Sequence, residues 1–171
     1  MRKISLFFTD IDGVWTDGSM QYDEKGNESK KFTTYDSAGV LLLQMAEIHL
    51  VVISGEKSNS VIDRCKKLNI KHVHVGIKNK LKLANKVCKE LNIKLKNCAH
   101  IGDELNDIHL LKKVGLSAAP KNANPLIKDE VDWVLDKSGG QGVFREFVEK
   151  YLDSIGMLHH YINKQIQSYD C

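Results

Sequence analysis

Four short apolar runs along the chain stop abruptly at polar or turn-forming residues. They occupy residues 4–9, 49–53, 98–101 and 115–119, and weaker runs occupy residues 72–75 and 131–135. Short apolar runs bounded by turn signals are typical of buried strands. The pattern therefore predicts four well-marked strands and two weaker ones.

The segments between these runs carry apolar residues at helical spacing. Predicted helices cover residues 38–46, 58–68, 80–91, 106–114 and 143–152. In the second of them, apolar residues three or four positions apart are separated by charged ones. Strands that alternate with helices in this way indicate βαβ units. The predicted fold class is α/β: a Rossmann-like parallel sheet with helices on both faces.

Residues 19–32 break the alternation. Short strand candidates at 19–22 and 28–32 flank a turn-rich link, which predicts a β-hairpin inserted after the first strand. Residues 153–171 predict an amphipathic helix, and the sequence leaves open where it docks. Because no repeat or linker divides the chain, residues 1–171 are predicted to form a single domain.

The composition excludes several classes of protein. Hydrophobic residues make up 42% and charged residues 27%, which excludes a disordered chain. A net charge of +3 is too small to indicate a nucleic-acid surface. No apolar run approaches the roughly 20 residues of a membrane helix, and the N-terminus does not resemble a signal peptide. We expect a cytoplasmic protein without membrane or nucleic-acid partners, in which Cys65, Cys88, Cys98 and Cys171 are free thiols.

Acidic and hydroxyl side chains follow the predicted strands. Asp10 and Asp12 follow the first strand, Ser54 follows the second, and Asp103 and Glu104 follow the third. Since functional groups of an open α/β sheet gather beyond the carboxyl ends of its strands, we expect these side chains to meet at one edge.

Such an edge suits phosphate chemistry. Converging carboxylates repel one another unless a cation such as Mg²⁺ lies between them, and Mg²⁺ takes its remaining ligands from water and substrate phosphate. The Ser54 hydroxyl and the Lys80 ammonium can hold the other phosphate oxygens. An aspartate nucleophile can form an aspartyl-phosphate, which splits hydrolysis into two easier steps.

Four motifs occur in a fixed order along the chain. They are residues 10–18 (DIDGVWTDG), 54–56 (SGE), Lys80, and residues 102–107 (GDELND). In this order they resemble the motifs of the haloacid dehalogenase superfamily of phosphatases. The hairpin and residues 139–146 (GGQGVFRE) resemble one branch of it. That branch comprises the 3-deoxy-D-manno-octulosonate 8-phosphate phosphatases and their nine-carbon relatives, which act on sialic-acid-type 9-phosphates.

The resemblance implies roles for two carboxylates of the first motif and two of the fourth. Asp10 would be the nucleophile and a metal ligand. Asp12 would be the general acid and base, with its backbone carbonyl on the metal. Asp103 would also bind Mg²⁺, and Asp107 would support either Asp103 or Lys80. Many relatives have Asp at the position of Glu104, which leaves open whether Glu104 touches metal-bound water or turns away.

Two further motifs would bind the substrate. By resemblance, Ser54 would bind the phosphate, and Lys80 would bind it and orient Asp10. Gly55, Glu56, Arg64 and Lys67 lie at or beyond Ser54 and are candidates for contact with the rest of the substrate. This set resembles the nine-carbon enzymes more than the octulosonate ones. For the charged residues, the alternative is an ordinary solvated helix face.

The motif spacing leaves no room for a cap domain. Only a hairpin and one helix separate Asp12 from Ser54, and only one helix and a short strand separate Ser54 from Lys80. The resemblance implies a homotetramer in which hairpins meet at the centre and a neighbour's glycine-rich segment covers the site. There, residues 139–142 would offer backbone N–H groups to an anion, and Arg145 would bind a substrate carboxylate.

Two other classes of function use similar features. A receiver-type phosphoacceptor domain also combines acidic residues, a hydroxyl, a lysine and Mg²⁺, but its acceptor aspartate follows the third strand, whereas Asp10 follows the first. A non-catalytic oligomerisation module would not need the complete set of motif residues. The sequence favours a Mg²⁺-dependent phosphomonoesterase that acts on a phosphorylated 3-deoxy-2-ulosonic acid.

Overall fold

A parallel six-stranded sheet forms the centre of the computed structural model, which describes residues 3–167. Its strands are β1 (Leu6–Thr9), β4 (His49–Ile53), β5 (His72–His74), β6 (Cys98–Ile101), β7 (Leu116–Ala119) and β8 (Trp133–Val134). Their order across the sheet is β5-β4-β1-β6-β7-β8, and every pair is parallel. This arrangement confirms the predicted α/β fold.

Helices cover both faces of the sheet. They are α1 (Tyr35–Met45), α2 (Asn59–Lys67), α3 (Lys80–Glu90), α4 (Ile108–Leu111), α5 (Pro125–Lys128), α6 (Val143–Ser154) and α7 (Leu158–Gln167). Successive residues of β1 point to opposite faces, as the pleat of a strand requires. Phe7 joins a core cluster with α1, α2 and α6, whereas Leu6 and Phe8 join a second cluster with α3 and α4.

The inserted hairpin pairs over fewer residues than its sequence predicts. Its strands, β2 (Gln21–Tyr22) and β3 (Glu28–Ser29), are antiparallel and form a separate two-stranded sheet. The Asp23 carboxylate accepts hydrogen bonds from the backbone N–H groups of Lys25 and Asn27 and so closes the turn. Since both strands are largely exposed, no buried face extends the pairing.

Two short helical segments differ from the prediction. Residues 106–114 do not form one helix: a 3₁₀ turn at Leu105–Asp107 leads into the four-residue α4. Helix α5 was not predicted, because four residues are too few to show helical periodicity. It begins with a proline, and the Asn124 side chain accepts a hydrogen bond from the N–H of Leu126.

The C-terminal segment docks on the main core. Leu158, Tyr161 and Ile162 of α7 are partly buried and pack against the cluster that contains α1 and α6. The hydroxyl of Tyr151 in α6 accepts a hydrogen bond from the N–H of Ile4, 147 residues away. Residues 168–171 of the predicted tail lie outside the described residues, and so does Cys171.

Residues 3–167 contain neither a cap domain nor a helix that could span a membrane. Only the hairpin and α1 separate β1 from β4, so no cap domain is present in this part of the chain. None of its helices is long and apolar enough to cross a membrane. Cys65, Cys88 and Cys98 are buried free thiols, as expected.

Candidate active site

The strand order brings several of the predicted site residues to one edge of the sheet. Strands β4, β1 and β6 are neighbours, and Ser54, Asp10 and Asp103 follow directly or closely after their carboxyl ends. A cavity of about 230 Å³ opens at this edge. Its lining residues are Asp10, Asp12, Gly13, Gly18, Gly55, Glu56, Asp103, Glu104 and Asn106.

Asp10 is held at both carboxylate oxygens. Its Oδ1 accepts a hydrogen bond of 2.8 Å from the backbone N–H of Ile11, and its Oδ2 lies 2.8 Å from the Lys80 ammonium. The side chain is almost completely buried. Asp10 therefore has a single defined orientation at the floor of the cavity.

Lys80 is a buried bridge between two acidic motifs. Its Nζ lies 2.8 Å from Asp10 and 2.8 Å from Oδ1 of Asp107. Burial lowers the pKa of Lys80, but the charges of Asp10 and Asp107 outweigh this, so the net shift is upward and the group stays an ammonium. His100 Nε2 lies 2.7 Å from the same Asp107 oxygen. Of the two supporting roles left open for Asp107, the contact to Lys80 is present in the structure.

Burial and mutual repulsion raise the pKa values of Asp10 and Asp103, whereas the burial of Asp107 is outweighed by its contacts with Lys80 and His100, which lower its pKa. Burial, followed by repulsion from Asp107, raises the pKa of Asp10 well above its usual value. The same two causes raise the pKa of Asp103 to about 7. These shifts describe the cluster without a cation, and a divalent cation would reverse the upward shifts by favouring the charged forms.

The donor set fits Mg²⁺. Oxygen atoms of Asp10, Asp103 and Asp107 lie within 4.8 Å of one another. Within residues 3–167, buried Oδ1 of Asp103 and buried Oδ2 of Asp107 have no hydrogen-bond partner. Buried carboxylate oxygens without partners are costly unless a cation or water satisfies them. Of the predicted metal ligands, the side chains of Asp10 and Asp103 join this group, whereas that of Asp12 does not.

Gly13 is required for the approach of the first and fourth motifs. It adopts φ +81°, and a Cβ atom at this position would lie 1.9 Å from Oδ2 of Asp103. No side chain fits in that space. The loop after β1 and the loop after β6 can therefore share the cavity only with glycine at residue 13.

Asp12 points to a different neighbour, a lysine of the hairpin. Its Oδ1 lies 2.6 Å from Nζ of Lys30, and its Oδ2 lies 3.5 Å from the Ser54 hydroxyl. Burial lowers the pKa of Lys30, but its contacts with Asp12 and Glu28 prevail and raise it overall. Lys30 was not predicted as a site residue, because the hairpin was interpreted only as an assembly element. Its insertion directly after the first motif was the available signal.

Of residues 54–56, Gly55 and Glu56 line the cavity, whereas Ser54 is not among its lining residues. Ser54 is buried, and its Oγ accepts a hydrogen bond from the N–H of Glu56. The Glu56 side chain is exposed at the mouth of the cavity. Glu104 turns away from the acidic cluster, because its Oε1 accepts hydrogen bonds from the N–H of Leu105 and from the Asn124 amide. His100 and Asn106 are further residues at this edge that the sequence analysis did not identify.

Besides Ser54, the predicted substrate-binding residues Arg64, Lys67 and Arg145 are not among those that line the cavity within residues 3–167. The Arg64 guanidinium donates hydrogen bonds to the carbonyl of Thr33 and the hydroxyl of Ser37. Lys67 is exposed at the last residue of α2. Arg145 is paired with Glu149 at 2.6 Å along α6.

The glycine-rich segment packs on its own chain. The N–H of Gly140 donates to the carbonyl of Val14, and the N–H of Gly139 donates to the Asn122 side chain. A Cβ atom on Gly139 would lie 2.0 Å from the carbonyl oxygen of Gly13. The prediction that these N–H groups are free for an anion is therefore wrong for Gly139 and Gly140, which instead brace the loop after β1.

Comparison with known proteins places this geometry in a family. The haloacid dehalogenase-like hydrolase family matches residues 69–147. The 3-deoxy-D-manno-octulosonate 8-phosphate phosphatase KdsC of Escherichia coli K12 is 36% identical over 157 residues, which are 92% of this chain and 84% of that protein. The same enzyme of Haemophilus influenzae is 33% identical over 156 residues, 91% of this chain and 87% of that protein.

Solved structures agree with the sequence comparison. A probable YrbI family phosphatase from Pseudomonas syringae pv. phaseolica has a TM-score of 0.93 and 33% identity, over 96% of this chain and 94% of that one. The octulosonate 8-phosphate phosphatase of Moraxella catarrhalis was solved with magnesium, phosphate and KDO. It has a TM-score of 0.91 and 33% identity, over 94% of this chain and 92% of that one. This similarity over nearly the whole length shows that the chain belongs to the 3-deoxy-D-manno-octulosonate 8-phosphate phosphatase family of haloacid dehalogenase-like hydrolases.

Proposed function

We propose that this protein is a Mg²⁺-dependent phosphomonoesterase that hydrolyses a phosphorylated 3-deoxy-2-ulosonic acid. The observation that carries the proposal is the double restraint on Asp10, by the N–H of Ile11 and by Lys80, within 4.8 Å of Asp103. A carboxylate fixed in this way, beside oxygen ligands for a cation, suits nucleophilic attack on a phosphate ester.

In the first step an Asp10 oxygen would attack phosphorus, forming an aspartyl-phosphate as the ester P–O bond breaks. Asp12 would give its proton to the leaving oxygen. In the second step Asp12 would take a proton from water, which attacks the same phosphorus and releases Asp10 and phosphate. Asp10, Asp103 and the backbone carbonyl of Asp12 would hold Mg²⁺, which would neutralise negative charge on the phosphate.

The neighbouring groups would hold the phosphate in place. Ser54 is buried with its hydroxyl near Asp12, and Lys80 supplies a fixed positive charge beside Asp10. Lys80 is restrained in turn by Asp107, so its charge is preorganised rather than recruited by the substrate. Asp10 follows the first strand, whereas the acceptor aspartate of a receiver domain follows the third. This position supports a phosphatase over a receiver domain.

The eight-carbon octulosonate 8-phosphate is the first candidate substrate, because the relatives are named for it. A nine-carbon ulosonate 9-phosphate is the second candidate. It is supported by the resemblance of Gly55, Glu56, Arg64 and Lys67 to the nine-carbon enzymes, and Glu56 is exposed where it lines the cavity. Either substrate extends well beyond its phosphate, so residues at the mouth would decide between them.

We further propose a homotetramer in the cytoplasm, assembled through the hairpin. Met20 and Tyr22 expose apolar surface there, 39% and 61% of their area, which suits an interface. In such an assembly Arg145 would contact a substrate that is bound in a neighbouring subunit. Size-exclusion chromatography with light scattering tests this, and a strict monomer would contradict it.

Phosphate release across a sugar-phosphate panel tests the activity. The panel holds the octulosonate 8-phosphate, nine-carbon 9-phosphates and hexose phosphates, each with Mg²⁺ and with a chelator. We expect preference for one ulosonate, loss of activity with chelator, and loss of at least about 10³-fold in Asp10→Asn. The matched control is Asp63→Asn, which changes an exposed aspartate of α2.

Other results would overturn the proposal. Activity that survives Asp10→Asn would contradict the nucleophile, and preference for hexose phosphates would contradict the substrate class. A wild-type protein that is inactive on the whole panel would favour the non-catalytic oligomerisation module.

A further inference from the structure

We propose that Lys30 of the hairpin is a positioning residue, which holds the Asp12 carboxylate in place for proton transfer to the leaving group. The inference rests on the proposed function, in which Asp12 acts as the general acid. It assigns the hairpin a part in the reaction itself, in addition to any part in assembly.

The contact is short and enclosed. The Lys30 ammonium lies 2.6 Å from Oδ1 of Asp12 and 3.3 Å from Oε1 of Glu28. The Sδ of Met20, the residue before β2, lies 3.6 Å away. The Lys30 side chain has no exposed surface. An ammonium covered in this way between two carboxylates loses little further freedom and makes a stronger ion pair than an exposed one.

The two oxygens of Asp12 consequently face different surroundings. Oδ1 is occupied by Lys30, whereas Oδ2 lies 3.5 Å from the Ser54 hydroxyl. The Asp12 side chain remains 23% exposed, at the cavity. One oxygen is thus anchored and the other is presented where the substrate phosphate would lie.

The backbone of the loop does not by itself fix the orientation of the Asp12 side chain. Asp12 lies between Ile11 and the left-handed Gly13 in a loop, and a partly exposed side chain in a loop can rotate about χ1. The other buried lysine of the site, Lys80, is committed to Asp10 and Asp107. Among residues 3–167, Lys30 is the one cation in ion-pair contact with Asp12.

The positive charge of Lys30 also favours proton transfer from Asp12 to the leaving oxygen. As the Asp10 oxygen bonds to phosphorus and the ester P–O bond breaks, the Asp12 proton moves to the leaving oxygen and Asp12 becomes a carboxylate. An ammonium 2.6 Å away stabilises the charge that develops there. The effect should matter most when the leaving group needs a proton.

Two substrates separate this role from a structural one. The leaving group of an alkyl phosphate, 3-deoxy-D-manno-octulosonate 8-phosphate, must be protonated, whereas that of 4-nitrophenyl phosphate departs as a stable anion. We would measure kcat and KM of wild type, Lys30→Met and Lys30→Arg on both substrates with Mg²⁺. Lys25→Met is the matched control, because Lys25 is an exposed lysine at the turn of the same hairpin.

We expect kcat/KM of Lys30→Met to fall about 10- to 100-fold on the sugar phosphate and less than about threefold on the aryl phosphate. Lys30→Arg should recover most of the sugar-phosphate activity, and Lys25→Met should match wild type. Equal losses on both substrates, or no loss on either, would overturn the inference. If Lys30→Met does not fold, Lys30→Arg decides: retained sugar-phosphate activity supports the role, and an equal loss on both substrates overturns it. A wild type inactive on both substrates would refute the proposed function, and this inference with it.

Discussion

Gly13 shows how one missing side chain sets the spacing of the acidic cluster. Its φ of +81° favours glycine, and the space that a Cβ would need is filled by the Asp103 carboxylate. Gly26, in the turn of the hairpin, has almost the same φ, +79°, but no atom lies within 4 Å of the position of its Cβ. A side chain at residue 26 would therefore meet backbone strain alone, whereas a side chain at residue 13 would also clash with Asp103.

Alanine at these two positions should have unequal effects. Gly26→Ala should cost about 1 kcal/mol of stability, the penalty for a left-handed alanine, and leave hydrolysis unchanged. Gly13→Ala should cost more and should also abolish hydrolysis, because Asp103 is displaced from Asp10. Thermal melts and phosphate-release assays of both variants would test this. Equal stability losses with full activity in both would contradict the steric argument.

Single residues also differ in how far the sequence could predict them. Asp10, Asp12 and Asp103 were predicted to meet because each follows a strand, and the sheet imposes that neighbourhood. Lys30 and His100 were not predicted. Their contacts depend on how a hairpin folds back and on a side chain within β6 pointing towards Asp107. Neither contact produces a periodic pattern of residues from which it could be predicted.

At the level of elements, α7 illustrates a helix whose position depends on one face. Ile162 is partly buried and packs on the main core, whereas Ile166, one turn later, is 54% exposed. The amphipathic pattern predicted the helix, but the pattern alone could not say which surface would receive it. That surface is formed by α1 and α6, which are distant in sequence from each other.

Truncation of these two isoleucines should separate the docked face from the free one. Ile162→Ala should lower the free energy of unfolding by about 1–2 kcal/mol, since it removes part of a half-buried side chain. Ile166→Ala should change it by less than about 0.5 kcal/mol. Urea denaturation of the two variants measures the difference, and a larger effect at Ile166 would contradict the docking.

At the level of the whole molecule, the carboxylate cluster opposes folding when no cation is present. The pKa of Asp103 is raised from 3.8 to about 7, so the folded protein retains a proton that the unfolded chain releases. Between these pH values the stability of the metal-free protein therefore falls as the pH rises. Mg²⁺ binding requires the carboxylate form, so its stabilising effect grows over the same range.

Asp103→Asn should remove both effects. In chelator at about pH 8 the variant should melt above wild type, and at about pH 4 the two should be nearly equal. Saturating Mg²⁺ should raise the melting temperature of wild type by about 5–10 °C, which corresponds to about 2.7 kcal/mol at a hundredfold excess over Kd. The variant should not respond. The surface control Asp63→Asn should follow wild type, and a full Mg²⁺ response in Asp103→Asn would exclude Asp103 as a ligand.

The central position of β1 has a consequence for synthesis on the ribosome. Strand β1 lies in the middle of the sheet, and its partners β4 and β6 follow much later in the chain. Just before β1, the hydrogen bond between Ile4 and Tyr151 closes over 147 residues. At about 5–20 residues per second, the apolar β1 therefore waits several seconds before it is covered. The nascent chain thus exposes the strand that precedes Asp10 until β4 and β6 have been synthesised, which is when a chaperone that binds apolar segments would reach it.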